Sequence, residues 1–397
     1  MYLTGLLRPI MVKITHVFSG TTFISECEHF NRPDLLNTVI IITSAGPLKV
    51  NCITAPLFFS NKKKGLKEAA KICSESDITV FYELDYEKAY MISKLSDNII
   101  VAWRFFGAEL YDKNPVPYLS DDSLRFFRTK YGKFRKIINP KRIIDKLSGI
   151  ANGKWKANSY FQFARKRTDI FLGLSEYEYC LLAGIWTNLP VFIQLPVKFK
   201  CSKLQLQEKK DLIIIGNSRS IYNNHLDIIE IIEKTETKAE NTYVVPFSYG
   251  TENEYTREVR HMINDSQKRF ELLEDFMSHE SYFDLLSSAK AAVFNSYRQM
   301  AMGNISGCIC SGVKVYLNEN NVMFKWLSGL GIKIFTVEDF ESDLKYENLQ
   351  LSPVDYERNI AAFLNISEKY TQKDFLRKIM EFIEKHGAGN YSKYNMN

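Results

Sequence analysis

Short apolar runs rich in β-branched residues alternate with segments of helical periodicity along nearly the whole chain, and this alternation constrains the fold most. Apolar runs of strand length without polar alternation are typical of strands buried on both faces of a parallel sheet. Helical segments between them supply the crossover connections that parallel strands require. The sequence therefore predicts an α/β protein built from parallel sheets.

The alternation occurs in two series, separated by a polar stretch from Lys198 to Lys210. Strands are predicted at 13–18, 38–43, 78–83, 99–104, 169–173 and 191–194, and then at 212–215, 243–246, 270–273, 291–295, 314–317 and 333–335. A chain of 397 residues exceeds one ordinary core. We predict two Rossmann-like domains, 1–197 and 198–397, the second closed by C-terminal helices, with the ligand in the cleft between them.

A phosphate-binding turn is predicted where the apolar run ending at Ile215 meets Gly216, Asn217, Ser218 and Arg219. A helical pattern starts just beyond this turn. A strand that enters a helix through a small polar turn gathers free backbone N–H groups at the positive end of the helix dipole, which suits an anion. The Ser218 hydroxyl and the Arg219 charge would add to this site. The alternative is a tight connection that binds nothing.

A second helix start, after the predicted strand 291–295, has residues of the same kind. Gln299 and Asn304 are uncharged donors that would bind a diphosphate without a metal, and Arg298 would offset the charge of the leaving group. The small Gly303 would let a ligand come close. No cofactor is predicted.

Three further residues follow strands of the second half. Tyr249 would line a pocket for a base or a sugar, and Asn318 is assigned to the donor site. The polar groups of Glu319 and Asn320, just beyond Asn318, would hold a ribose or sugar hydroxyl. Glu254 lies in a first helical turn, where an acidic residue either contacts the ligand or simply complements the helix dipole.

In the first half, the strand that ends near Arg104 leaves through Gly107 into Glu109. A carboxylate at the exit of such a strand is predicted to face the cleft as the general base for a sugar hydroxyl. Gly107 and Tyr111 in this stretch are assigned to the acceptor side of the cleft, and His16 to the core or the cleft wall rather than to a metal. No metal site is predicted.

Basic residues are concentrated between Arg125 and Arg167, where fourteen Lys or Arg accompany a single acid, Asp145. The whole chain carries only +6, so the remainder is net acidic. Aromatic and branched residues interleave with the basic ones, which favours a helical insertion on an anionic membrane surface. A solvated helical face and a nucleic-acid groove are the alternatives.

Taken together, these segments resemble glycosyltransferase family 56. The matching pieces are Thr15–Val17, Phe106–Tyr111, Ile215–Ser218, Val245–Tyr249, Asn253–Tyr255, Gln299 with Gly303, and Leu317–Asn318. The likeness spans roughly residues 11 to 345. The family has Asp where this chain has Glu109, the segment around Arg219 differs, and the basic stretch is longer here.

The resemblance implies a B-type (GT-B) fold and a metal-independent hexosyltransferase that uses a thymidine-diphosphate sugar. It implies transfer of a 4-acetamido-4,6-dideoxyhexose to a polyprenyl-diphosphate-linked glycan in bacterial surface polysaccharide synthesis, with peripheral attachment to the cytoplasmic face of the inner membrane. Two other functions stay open from the sequence. One is a soluble sugar-nucleotide epimerase with the same fold, and the other is a non-enzymatic α/β protein that binds nucleic acid through the basic segment.

Overall fold

A computed structural model describes residues 11–47, 49–111, 116–124, 154–184, 189–197, 206 and 208–391. The first ten residues lie outside this part of the chain, and so does 125–153, which is most of the predicted basic membrane-facing segment.

The described residues divide into two compact units. Unit 1 takes its residues from Met1–Leu110, Pro140–Pro196 and Tyr370–Asn397, and unit 2 from Tyr111–Asn139 and Val197–Lys369. These units differ from the predicted domains 1–197 and 198–397 in three places, because residues 111 and 116–124 and Val197 belong to unit 2 and the final helix belongs to unit 1.

Unit 1 contains a seven-stranded sheet in which all neighbouring strands are parallel. Its strands are β1 Val12–Phe18, β2 Leu35–Thr43, β3 Leu57–Ser60, β4 Ile78–Tyr82, β5 Ile100–Arg104, β6 Ile170–Gly173 and β7 Val191–Gln194. Their order is β3-β2-β1-β4-β5-β6-β7, so the direction of winding reverses between β1 and β4. This is the doubly wound order of Rossmann sheets with one added strand.

Unit 2 contains a six-stranded parallel sheet with the order β10-β9-β8-β11-β12-β13. Its strands are β8 Lys210–Ile215, β9 Thr242–Pro246, β10 Arg269–Leu273, β11 Ala289–Phe294, β12 Lys314–Leu317 and β13 Phe335–Thr336. Here the winding reverses between β8 and β11. Every residue of β9, β11 and β12 is buried, as expected for strands covered on both faces.

Helices connect most of the strands. They are α1 Lys63–Cys73, α2 Tyr86–Ile92, α3 Ala108–Tyr111, α4 Lys154–Arg167, α5 Glu176–Ala183, α6 His225–Lys234, α7 Glu254–Asp265, α8 His279–Ser288, α9 Met302–Cys310, α10 Val322–Gly329, α11 Val337–Lys345, α12 Pro353–Lys369 and α13 Gln372–Tyr391. Local sequence determines where several of these helices begin. The Asp85 carboxylate accepts from the Lys88 N–H at α2, and Asn253 and Thr336 form capping boxes at α7 and α11.

Each unit has its own apolar core. In unit 1, Ile14, Val39 and Ala102 of the sheet cluster with Ile379 and Ile383 of α13, which explains why the last helix belongs to this unit. In unit 2, branched side chains of β8 and β9 cluster with those of α6 and α11. None of the described helices is long and apolar enough to cross a membrane.

The predicted α/β class and its parallel sheets are confirmed. Two local predictions are wrong. The edge strand β3 was not predicted, and the helix predicted to begin at Gln299 begins at Met302. The helix is shortened because Ala301 has the left-handed backbone angle φ +57°, which is incompatible with a continuous helix at that residue.

Candidate functional site

The candidate site lies in unit 2, where strands β8 and β11 are neighbours and the winding of the sheet reverses. Open α/β sheets bind ligands outside the carboxyl ends of their strands at such a point. The predicted donor-binding residues follow β8, β9, β11 and β12, so most of them gather at this edge of the sheet.

The turn after β8 is tightly packed. Gly216 has φ +68°, and a Cβ at this position would lie 2.7 Å from Nε2 of His225. Its N–H donates to the carbonyl of Val293 on β11 at 2.9 Å. The Ser218 side chain is buried, and its hydroxyl accepts from Nδ2 of Asn223 at 3.1 Å. Only glycine fits the first position of this turn without strain.

A cavity of about 220 Å³ opens beside this turn, at the ends of β8, β9 and β10. Asn217 lines it and donates from Nδ2 to the Tyr249 hydroxyl at 2.5 Å. The Asn217 Oδ1 atom is buried and has no hydrogen-bond partner among the described residues. Tyr249 is 55% exposed and Phe276 is 87% exposed. The cavity therefore offers aromatic rings and one unused acceptor.

Arg219 braces the loop after β9. Its Nε donates to the carbonyl of Phe247, and its backbone N–H donates to that of Tyr249 at 2.9 Å. Its guanidinium lies 3.8 Å from the Glu252 carboxylate. Glu254, the first residue of α7, is exposed and forms an ion pair with Arg257 at 2.7 Å.

The start of α9 is open on one side. Apart from its chain neighbours and the backbone of its own helix, no atom of the described residues lies within 4 Å of a Cβ built on Gly303. Asn304 donates from Nδ2 to the hydroxyl of Tyr282, which lines the cavity, at 2.8 Å. Gln299 lies before the helix and is half-buried. The two amides Asn217 and Asn304 thus each bond a tyrosine of the cavity wall.

Arg298 is held between two aromatic rings. Its Cζ lies 4.7 Å from the ring centroid of Tyr111 and 4.6 Å from that of Tyr222. The Tyr222 hydroxyl donates to the Tyr111 carbonyl at 3.2 Å, which fixes the pair. Tyr111, predicted as an acceptor-side residue, is fully buried here within unit 2, beside a residue predicted to bind the donor.

Asparagine side chains, most of which the sequence did not single out, connect the loops at this edge. Asn224 accepts from the Ser120 N–H at 3.0 Å and donates to the Asn295 carbonyl at 2.7 Å. Asn318 donates to Oδ1 of Asn295 at 2.8 Å and is 7% exposed. The side chain of Asn318 is therefore engaged in holding loops together. Asn224 could have been singled out from the sequence as a turn residue, because asparagine tolerates a left-handed backbone such as its φ of +48°.

A short segment that follows α3 in the chain is anchored on α6. The Asp227 carboxylate accepts from the Ser120 hydroxyl, and from the Asp122 N–H at 3.3 Å. Burial raises the pKa of Asp227, against the lowering effect of the Ser120 hydrogen bond. This contact fixes residues 116–124 on unit 2, the unit that also holds Tyr111.

In unit 1 the Glu109 carboxylate is only 4% exposed and is surrounded by donors. Oε1 accepts from the N–H of Leu84 at 3.2 Å, from Nε1 of Trp103 at 3.1 Å and from the N–H of Phe106 at 3.4 Å. Oε2 accepts from the N–H of Gly107 at 2.9 Å. Gly107 has φ +108°, which only glycine adopts readily.

His16 lies fully buried in unit 1. Its Nε2 lies 2.9 Å from Oδ1 of Asn37 and its Nδ1 lies 3.1 Å from the Tyr82 hydroxyl. Burial lowers its pKa to about 4, so the ring is neutral near pH 7. Within the described part of the chain, no three His, Cys, Asp or Glu side chains are grouped so that they could hold a metal ion.

These two doubly wound parallel sheets place the chain in the GT-B fold of glycosyltransferases. It is similar to an alpha-glucosyltransferase (AGT) in complex with UDP, with a TM-score of 0.55 and 10% identity over 94% of this chain and 99% of that one. Anabaena HepE in complex with UDP and glucose gives a TM-score of 0.58 and 10% identity over 94% and 100%. A Rickettsia africae glycosyltransferase gives 0.55 and 15% over 94% and 98%.

Residues 188–380 match the family described as 4-alpha-L-fucosyltransferase glycosyl transferase group 56. This match confirms the resemblance to family 56 over that region, and the protein is a glycosyltransferase. The open epimerase and nucleic-acid-binding hypotheses have no comparable support. No curated protein sequence matches the chain.

Proposed function

We propose that this glycosyltransferase transfers a sugar of the 4-acetamido-4,6-dideoxyhexose type from thymidine diphosphate to a polyprenyl-diphosphate-linked glycan. The acceptor would belong to bacterial surface polysaccharide synthesis. The observation that carries the donor part is the gathering of amides, a glycine turn and an open helix start beside one aromatic cavity of unit 2. Structural neighbours in complex with UDP support a nucleoside-diphosphate donor.

The cavity would take the nucleobase. Thymine and uracil each carry an N3–H donor, which the unused Oδ1 of Asn217 would accept. The exposed ring of Tyr249 offers a face for stacking, and its hydroxyl keeps the Asn217 amide oriented. A buried acceptor without a partner is unfavourable, so a ligand that satisfies it gains affinity.

The diphosphate would lie at the reversal point of the sheet. Backbone N–H groups of Asn217 and Ser218 and of the first turn of α9 would approach it, while the Gly216 N–H stays bonded to the Val293 carbonyl. Arg298 would offset the negative charge that develops on the leaving group, and the two flanking tyrosines hold its guanidinium in place. The proposal assigns this task to the protein's own charge and dipoles rather than to a metal.

The acceptor would be confined to the membrane, and basic surfaces would hold the enzyme there. In α1, Lys63, Lys64, Lys67 and Lys71 are exposed, whereas Leu66 on the opposite face is buried. Together with the basic segment 125–167, such a face suits anionic lipid. We therefore place the enzyme peripherally on the cytoplasmic face of the bacterial inner membrane.

A donor screen tests the reaction. Purified protein would be incubated with a short prenyl-diphosphate glycan and a panel of TDP- and UDP-sugars, with and without EDTA, and products would be weighed by mass spectrometry. We expect transfer from a TDP-4-acetamido-4,6-dideoxyhexose that EDTA does not stop. Asn217→Ala should weaken TDP binding, with the exposed, distant Glu236→Ala as matched control. Transfer from UDP-sugars alone would contradict the thymidine-diphosphate donor. Loss of transfer with EDTA would contradict a metal-independent reaction.

Vesicle flotation tests the location. The wild-type protein should float with vesicles that contain anionic lipid and stay in the bottom fractions when the vesicles are neutral. Its binding to anionic vesicles should weaken as the salt concentration is raised. A variant with charges reversed in 125–167 should lose flotation while still binding TDP. Equal flotation of both proteins would remove the membrane role of this segment.

A further inference from the structure

We propose that Glu83 is the general base that deprotonates the acceptor hydroxyl, and that Glu109 positions it. This inference rests on the proposed glycosyl transfer, and both carboxylates lie in unit 1. Glu83 directly follows β4, and the sheet of unit 1 reverses its winding between β1 and β4. A residue at that place lies where open parallel sheets bind their ligands.

The backbone of Glu83 is strained. Its φ is +63°, a left-handed conformation that glutamate has no intrinsic reason to adopt. Glycine or asparagine would take the same conformation at lower free energy. Such conformations concentrate at functional sites, where the surrounding structure must hold them. At the reversal point of the sheet, such strain favours a functional role for the Glu83 side chain.

Hydrogen bonds on both sides hold this conformation. The Glu83 N–H donates to the carbonyl of Arg104 on β5 at 2.9 Å. The next N–H, of Leu84, donates to Oε1 of Glu109 at 3.2 Å. Glu109 also binds the N–H groups of Phe106 and Gly107, so one buried carboxylate joins the end of β4 to the end of β5. Glu109 would therefore act by positioning Glu83, without contact with substrate.

The other carboxylate at this edge has a structural task. Asp85 caps α2 by accepting from the Lys88 N–H at 2.8 Å, and it forms an ion pair with the fully buried Lys88 ammonium. Lys88 also donates to the Ser19 hydroxyl at 2.7 Å, which joins the ends of β1 and β4. Glu83 is half-buried and lies two residues before Asp85 in the chain.

An aromatic surface lies next to the same edge. Phe106 stacks on Phe23 with ring centroids 4.2 Å apart, and Phe23 is 48% exposed. The Arg104 guanidinium lies 4.2 Å from the Phe106 ring and is paired with Glu26. An exposed ring beside a carboxylate is the combination that binds a sugar, because the ring covers its apolar face while the carboxylate accepts from a hydroxyl.

In the step we propose, the acceptor hydroxyl gives its proton to the Glu83 carboxylate. Its oxygen forms a bond to the anomeric carbon of the donor sugar, and the bond from that carbon to the diphosphate oxygen breaks. The electron pair of that bond leaves with the nucleoside diphosphate. Glu83 returns its proton to solvent after the product has left.

Three variants test the assignment. Glu83→Gln should lower kcat by roughly 10²–10⁴-fold and leave TDP affinity and the melting temperature near those of wild type. The rate of wild type should fall at acidic pH, and the residual rate of Glu83→Gln should not follow that fall. Glu83→Gly should be inactive yet melt a few degrees higher, because glycine relieves the left-handed strain. Glu109→Gln should lower both the melting temperature and kcat.

The wild type is assayed first in the donor screen. Its activity distinguishes a failure of the transferase proposal from a failure of the role of Glu83. If wild type transfers sugar and Glu83→Gln does so at a similar rate, the role of Glu83 is refuted while the transferase proposal stands. If Glu109→Gln alone abolishes transfer at an unchanged melting temperature, Glu109 is the base, as the sequence predicted. If wild type transfers to no acceptor, the proposed function fails and this inference fails with it.

Discussion

The substitution Gly303→Ala tests donor binding separately from the stability of the fold. Gly303 is the second residue of α9, and a Cβ there would meet no atom of the described chain outside its own helix within 4 Å. Alanine is favoured over glycine in a helix by about 0.5–1 kcal/mol. For a cooperative unit of this size, that corresponds to a rise in melting temperature of roughly 1–4 °C. The fold alone therefore predicts a more stable protein.

The proposed position of the diphosphate predicts that the same substitution weakens TDP binding. If the diphosphate lies against the start of α9, the new methyl group occupies space that the phosphate oxygens need. Overpacking of this kind costs about 1–3 kcal/mol. That is roughly a 5- to 150-fold loss of affinity for TDP. Calorimetric titration of TDP and thermal unfolding would be measured on the same preparation.

Gly216→Ala is the matched control for this experiment. Its φ of +68° and the 2.7 Å approach to His225 Nε2 make alanine unfavourable in the folded protein itself. The left-handed conformation alone costs about 1–2 kcal/mol. We expect this variant to lose stability and TDP affinity together. A Gly303→Ala protein that is more stable and binds TDP as wild type does would refute the placement of the diphosphate at α9.

Other expectations follow from single contacts. Arg298→Lys keeps the charge but loses the planar group stacked between two rings, so TDP affinity should fall on the order of tenfold by calorimetry; unchanged affinity would remove Arg298 from the donor site. Burial lowers the pKa of His16 from 6.5 to about 4, so the unfolded state binds the extra proton first as pH falls. The free energy of unfolding should drop by up to about 3 kcal/mol between pH 6.5 and 4 in urea titrations, and His16→Gln should reduce that drop. Gly65→Ala places a Cβ 2.3 Å from the Ser60 carbonyl oxygen and should destabilise unit 1 by about 1–3 kcal/mol in the same titration, whereas an unchanged midpoint would contradict the packing of α1 on β3.

Periodicity predicted most of the fold because parallel strands buried on both faces leave a strong local pattern. Strands such as β4 and β12 are buried at every position, and their bounds follow from the sequence within about two residues. The edge strand β3, at Leu57–Ser60, was missed because it is short and only partly buried. An edge strand has a neighbouring strand on one side only, so its apolar sequence pattern is weaker.

Contacts between distant residues could not be predicted in this way. Nothing local in α13 indicates that it packs against strands more than 200 residues earlier in the chain. Likewise, no pattern indicates that Tyr111 lies against Arg298, or that Ser120 bonds Asp227. Sequence periodicity reports which face of an element is buried, and the partner of that face depends on the whole fold.

The same distinction applies to the catalytic carboxylate. Glu109 and Glu83 both follow strands of one sheet, and residue type does not separate them. Backbone conformation does. Among the described non-glycine residues, φ is positive at Glu83, Asn224, Ala301 and Glu347, and the first three lie in connections that follow the strands at the two reversal points. Only asparagine among these has a recognisable preference for that conformation, so strain at a glutamate and an alanine is invisible in the sequence. Because such strain persists where function requires the residue, its position in the fold is what favours Glu83 over Glu109.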